Sequence, residues 1–179
     1  MPSSFPGYVK PQRVGLDAGV FYLAGVGMGA TMGGASWDPG REVRNIPFDG
    51  KTSNIVGLDR VLDYSKNKLT TTMLDFSGAA LMRYEPGSTS DGSASNTITP
   101  IDAQTIFVAG DYLQNLEWIG RTSDGGAMYL KMAWALVQKY TVKSADKDEV
   151  KAAIEITAML SDTETDLNKC PYVWITSAT

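Results

Sequence analysis

Histidine is missing from the 179-residue chain, and cysteine occurs once, at Cys170. The first absence removes Ser-His-Asp and Cys-His catalysis, histidine metal ligation and histidine pH switching. The second excludes an internal disulfide framework and a cysteine-built zinc site. Cys170, beside Pro171, has no histidine to activate its thiol. No run of eighteen apolar residues occurs, so the sequence predicts no membrane-spanning helix. Met1 to Lys10 carries two prolines and no apolar block, which predicts no secretory leader. Basic residues are outnumbered by acidic ones, 16 to 20, for a formal charge of −4. Proteins that grip nucleic acid by its phosphates carry the opposite balance, so the charge argues against that role.

What remains is enough for one folded domain over 1–179, with 43% hydrophobic and 20% charged residues. Pro2, Pro6 and Pro11 make 1–14 an amino-terminal arm. Val20-Phe21-Tyr22-Leu23 is a strand candidate. The glycines from Gly25 to Gly34 preclude a helix and mark bends or close backbone approach. Glu42–Phe48 is a strand candidate that Pro47 places at a sheet edge or at a strand end. Arg60–Phe76 is the longest strand candidate of the first half, interrupted at Ser65-Lys66-Asn67-Lys68 by a bulge, a solvated stretch or a turn. Ser77–Arg83 predicts a short helix capped by Ser77 and stopped by Pro86-Gly87. The Gly/Ser/Thr/Asn-rich stretch 86–97 reads as an exposed flexible loop.

Strands follow at Ile101–Val108 and Leu113–Ile119. Ala127–Val137 is apolar almost throughout and fits a strand or a buried helix. In Ala152–Leu160, Ala152, Ile154, Ile156, Ala158 and Leu160 share one face, and Tyr172–Ile175 closes the series. Lys143–Glu149 is a charged connection. Together these predict a mainly-β fold, a β-sandwich or partial barrel with one short flanking α-helix, long loops and terminal arms.

Chemistry is hard to find. Gly25-Val26-Gly27-Met28-Gly29-Ala30 matches a dinucleotide fingerprint, with Asp49 at the expected distance, but no helix follows to receive the phosphates. Asp146, Asp148 and Glu149 lack the spacing and glycine of a calcium loop, as do Asp162, Glu164 and Asp166. Nothing singles out a carboxylate pair for glycoside hydrolysis. The sequence therefore predicts no catalytic residue, metal or cofactor. Trp118 and Trp134 are expected in the core. Trp37, in a turn-rich loop, is the tryptophan best placed for an outside contact.

Several segments together resemble a known family. They are Gly19-Val20-Phe21-Tyr22, Gly29-Ala30-Thr31-Met32-Gly33-Gly34-Ala35-Ser36-Trp37, Glu42-Val43-Arg44-Asn45-Ile46-Pro47-Phe48-Asp49-Gly50 and Val56-Gly57-Leu58-Asp59-Arg60. Asp75-Phe76 before the helix and Asp146-Lys147 between late strands add to the pattern. From about Gly15 to Trp174 the chain resembles the major tail tube proteins of long-tailed, non-contractile bacteriophages. The resemblance implies a virion protein, assembled in the host cytoplasm. Its subunits form rings, usually hexamers, around a shared inner barrel, and the rings stack into a tube that carries the genome. Tape measure, tail tip and tail terminator proteins are the implied partners, with no membrane. A loop reaching the next ring would be 37–58, with Trp37, Arg41, Arg44, Phe48, Asp49 and Lys51 as contact candidates.

DNA must pass such a tube without specific binding, and a basic wall would hold phosphates. Acidic side chains are thus expected to face the lumen, with Glu117, Asp124 and Glu155 as candidates from strand parity. Two other readings stay open: a decoration or baseplate module of a virion, and a carbohydrate-binding β-sandwich using Trp37.

Overall fold

The computed structural model describes residues 15–45, 59–92, 97–103, 105–122, 125–144, 148–166 and 169–177. The fold is mainly β, with one helix and a large antiparallel sheet. In chain order its elements are β1 (Gly15–Leu23), β2 (Val26–Gly27), β3 (Thr31–Asp38), β4 (Glu42–Asn45), β5 (Asp59–Asp63), β6 (Lys68–Met73) and α1 (Gly78–Tyr84). Then come β7 (Thr89–Ser90), β8 (Ile98–Thr99), a 3-10 turn at Ala109–Asp111, β9 (Leu113–Thr122), β10 (Ala127–Lys143), β11 (Lys151–Met159) and β12 (Tyr172–Ser177).

Eight strands form the main sheet in the order β2-β1-β9-β10-β11-β6-β3, with β12 added to β10. β1 and β3 lie near opposite ends of that order, yet they approach each other, so the sheet curls toward a barrel. The connection between them helps close the seam: Met28 N–H donates to Phe21 O, and Leu74 N–H donates to Ala30 O. Inside the curl sit Phe21, Met28, Leu69, Met73, Leu116, Leu130, Met132, Ile154 and Ile156, all essentially inaccessible to solvent. The alternation in β11 decides its orientation. Ala152, Ile154, Ile156 and Ala158 are buried, and Lys151, Glu155 and Thr157 lie on the other face.

β10 is extended, so the helical alternative for Ala127–Val137 falls away, and the strand continues to Lys143 into the expected charged connection. Its inward-facing parity changes partway. Leu130 and Met132 are core residues, and so are Ala135 and Val137. The neighbouring strand does the same at the same level, with Leu113 and Leu116 both buried around Asn115. Asn115 has φ +53, a left-handed backbone that asparagine tolerates better than most residues. Its carbonyl accepts from Ala24 N–H. Two strands that shift phase together bend as a unit, which a strict two-residue period cannot reveal.

α1 begins where the capping chemistry places it. Ser77 Oγ accepts from Ala80 N–H at 3.3 Å, and Asp75 accepts from Ser77 N–H at 2.9 Å. Tyr84 is buried and donates its hydroxyl to Asp75 O, and burial pushes its phenol up to about 12. The helix is one residue later than the sequence predicted, within the ordinary ambiguity of helix ends.

Ile101–Val108 is not a strand, because no described strand pairs with it. Within the 86–97 segment Thr89–Ser90 pairs antiparallel with Ile98–Thr99 just beyond it, and residues 93–96 lie outside the described residues. Arg60–Phe76 divides into β5 and β6 around a turn at Ser65-Lys66. Gly33 and Gly34, both with positive φ, sit within β3 at a register shift opposite β6, a bulge rather than a loop.

Asn67, just after that turn, is buried at 3% exposure. Its amide donates to Tyr64 O at 2.7 Å and Ala158 O at 3.0 Å, and its Oδ1 accepts from Ala158 N–H at 2.7 Å. One side chain thus seals the end of β11 against the turn. Asn67→Ala would take the side-chain partner from the buried Ala158 N–H and C=O, while Tyr64 O keeps the Asn67 backbone N–H, and the expected loss is about 1–3 kcal/mol in urea-melting stability. Unchanged stability would mean that water replaces the amide.

Candidate functional site

β3 and β6 continue beyond the main sheet as β4 and β5, forming one long ribbon. The register runs Asp38↔Lys68, then Glu42↔Asp63, then Asn45↔Asp59. No third described strand flanks β4 and β5. A two-stranded ribbon cannot bury its faces, and the side chains of Arg41, Glu42, Val43 and Arg44 are all exposed.

The joint between ribbon and sheet is specified in detail. Asp38 Oδ1 accepts from Gly40 N–H at 2.9 Å, and Asp63 Oδ1 accepts from Ser65 N–H and its hydroxyl. Lys66 Nζ lies 3.1 Å from Glu42 Oε2, and that bond holds the lysine above its usual range. Gly40 has φ +56, and a Cβ there would lie 2.1 Å from the Lys66 carbonyl carbon. The strands touch backbone to backbone at this point, which only glycine permits.

The expected loop therefore starts differently from the sequence reading. Trp37 lies in β3 rather than in a turn-rich loop, and it is half-buried. Its ring meets Tyr172 edge-on at 4.8 Å, and Tyr172 meets Tyr64 at 6.0 Å. Among the described residues Trp37 Nε1 is buried without a hydrogen-bond partner. The ring is a packing element and offers no open platform for a sugar. Arg41 and Arg44 are exposed on the ribbon, whereas Phe48, Asp49 and Lys51 lie outside the described residues.

The strand edges form the second feature. β12 pairs with β10 on one side and has no described partner on the other. Five of its six residues are exposed, among them Val173, Trp174 and Ile175. The strand carries no charge and no proline, the usual guards of a sheet edge. β10 is open as well. Ala127–Met132 lies between β9 and β12, but from Leu136 to Lys143 only β11 pairs with it. Tyr140 and Val142 are exposed there, and Tyr140 gives its hydroxyl to Glu85, which raises its phenol above the usual range.

Two carboxylates expected to face a lumen lie on the main sheet, each paired with a lysine. Lys131 Nζ is 2.7 Å from Glu117 Oε1, and Lys68 Nζ is 2.9 Å from Glu155 Oε2. The Lys68 bond holds Glu155 below the ordinary carboxylate range. Asp124 lies outside the described residues. Around Glu155 the sheet face is small and polar, with Thr70, Thr72, Lys139, Thr141 and Ala153 beside the Gly33-Gly34 bulge.

No model of a protein family matches the chain, and no curated protein matches it significantly. Among the described residues no three histidine, cysteine or acidic side chains are grouped to hold a metal. Asp148 instead pairs with Lys151, and Glu164 with Lys169. No helix in the described residues is long and apolar enough to cross a membrane.

Trp118 packs at the core margin, edge-on to Trp174 at 6.2 Å, and Trp134 is half-buried against Tyr112. What sequence reasoning missed is the Val173–Ile175 edge. Its lack of charge was the available signal, but which strand ends a sheet is not written in its own residues.

Proposed function

We propose that this chain is a structural subunit that assembles with copies of itself into rings, and that the rings stack as the tail tube of a long-tailed phage. The observation that carries the reading is one combination: unpaired strand edges among the described residues, that of β12 uncharged, on a curled sheet that β4 and β5 extend as a ribbon. Open edges are an aggregation hazard in a monomer and a joining device in an assembly. A ring needs a heterologous contact that closes by rotation, and stacking needs a different surface. The edges supply the first, and the 37–58 segment, whose described part enters the β4–β5 ribbon, the second.

Glu117 and Glu155 are the proposed lumen-facing charges. Each is compensated by a lysine, so phosphates sliding past meet paired charge rather than a cationic trap. In this reading the tape measure, tip and terminator proteins contact the tube, and no cofactor takes part.

Electron microscopy of the purified protein across a concentration series tests this. Rings and open-ended tubes are expected at high concentration. Monomers at every concentration would overturn the reading. Closed, non-stacking oligomers would favour a decoration or baseplate module instead.

A further inference from the structure

We propose that Thr105-Ile106-Phe107-Val108 of one copy adds as a strand to the open edge of β12 in a second copy. The partner's being a second copy rests on the assembly reading; the pairing itself rests on the following observations.

The segment carries the composition of a strand, with β-branched and aromatic residues in succession and no charge. Among the described residues of the subunit it has no ladder. One residue of it is turned toward the body of the subunit. Ile106 is 86% exposed and Val108 65%, whereas Phe107 between them is half-buried. Phe107 turns inward onto Tyr112 at 6.3 Å, and Tyr112 meets Trp134 at 6.5 Å. That aromatic stack pins the segment to the body and leaves its other face free.

The ends are fixed too. Thr105 N–H donates to Asp102 O, and Val108 N–H donates to Asp111 Oδ2 at 2.7 Å. Val108 is extended, at φ −100 and ψ 165. Between these anchors, the backbone N–H and C=O groups of Ile106 and Phe107 have no partner among the described residues. A local preference that the subunit does not use is a conflict, and natural sequences rarely keep one without a use.

β12 presents the complementary surface. It is short, uncharged and apolar, and its outward backbone groups form an unfilled row among the described residues. Trp174 is held toward Trp118, so Val173 and Ile175 share the opposite face of the strand. Ile106 and Val108 repeat that spacing, so the two segments can match side chain to side chain. Pairing of β12 with β12 would bury the same strand, but as an isologous contact it would close at a dimer.

Cross-linking between two labelled populations tests the pairing. Cys170→Ser removes the native thiol from both. One population carries Ile106→Cys, the other Val173→Cys or Ile175→Cys. All three sites are exposed, so circular dichroism spectra should match the parent's. A bismaleimide about 8 Å long spans opposite and diagonal positions of a strand pair. Mixed dimers are expected roughly tenfold above either population alone, since pairing raises the local thiol concentration.

Self-linked Val173→Cys or Ile175→Cys without mixed dimers would overturn the proposal in favour of β12–β12 pairing. Rings or tubes forming without the mixed product would also overturn it, while leaving the assembly reading intact. The mixed product without rings or tubes would do the reverse.

Discussion

Ile156→Asp is expected to leave no folded subunit under conditions where the parent protein is native. Ile156 lies at the centre of β11, fully buried, between Leu69 on β6 and Val137 on β10. Losing the aliphatic side chain removes about 2–3 kcal/mol of burial. Placing a carboxylate there adds several kcal/mol more, whether it stays ionised without a partner or takes up a proton. A sum above about 5 kcal/mol matches the whole stability of many domains of this size. The far-ultraviolet circular dichroism spectrum and the soluble yield measure it. Ile156→Val is the control, expected to cost about 1 kcal/mol. A soluble, β-rich Ile156→Asp protein would mean that β11 can slip or that the core admits water.

The second large effect is on assembly rather than folding. Replacing residues 46–58 with Asn-Gly joins Asn45 directly to its register partner Asp59 through a two-residue turn that suits a hairpin. The ribbon is flanked by no third described strand, so the main core keeps its contacts, and shortening a loop changes its closure entropy only slightly. The melting temperature should therefore stay within a few degrees of the parent's. Stacking should disappear, because Phe48, Asp49 and Lys51 go with the segment. Sedimentation and microscopy read the outcome. Normal tubes from the shortened protein would remove the ribbon from the stacking contact, and single rings would isolate its role to the step between rings.

The parts of this fold that sequence conveys are those set by local chemistry. The Ser77 cap, the alternation from Ala152 to Ala158 and the strand character of Val20–Leu23 each follow from neighbouring residues. The misreadings share a different cause. Ile101–Val108 has strand composition, but strand formation needs a partner, and pairing is a non-local fact. Asp38-Pro39-Gly40 after Trp37 suggests a loop, yet the strand runs to Asp38 before the chain turns. The phase change at Asn115 and, in β10, between Met132 and Ala135 breaks the alternation on which parity arguments rest, so face assignments do not carry across it. Glu117 and Glu155 were legible as carboxylates on strands. Their lysine partners lie on other strands and could be seen only once the register was known.

The length of β10 governs how the molecule melts. One 17-residue strand holds β9 and β12 along its first half and β11 along its second. Heat cannot dissolve either half and spare the other, because both depend on the same rail. Curled as it is, the subunit should come apart in a single calorimetric transition, with no half-melted species to tangle with its neighbours.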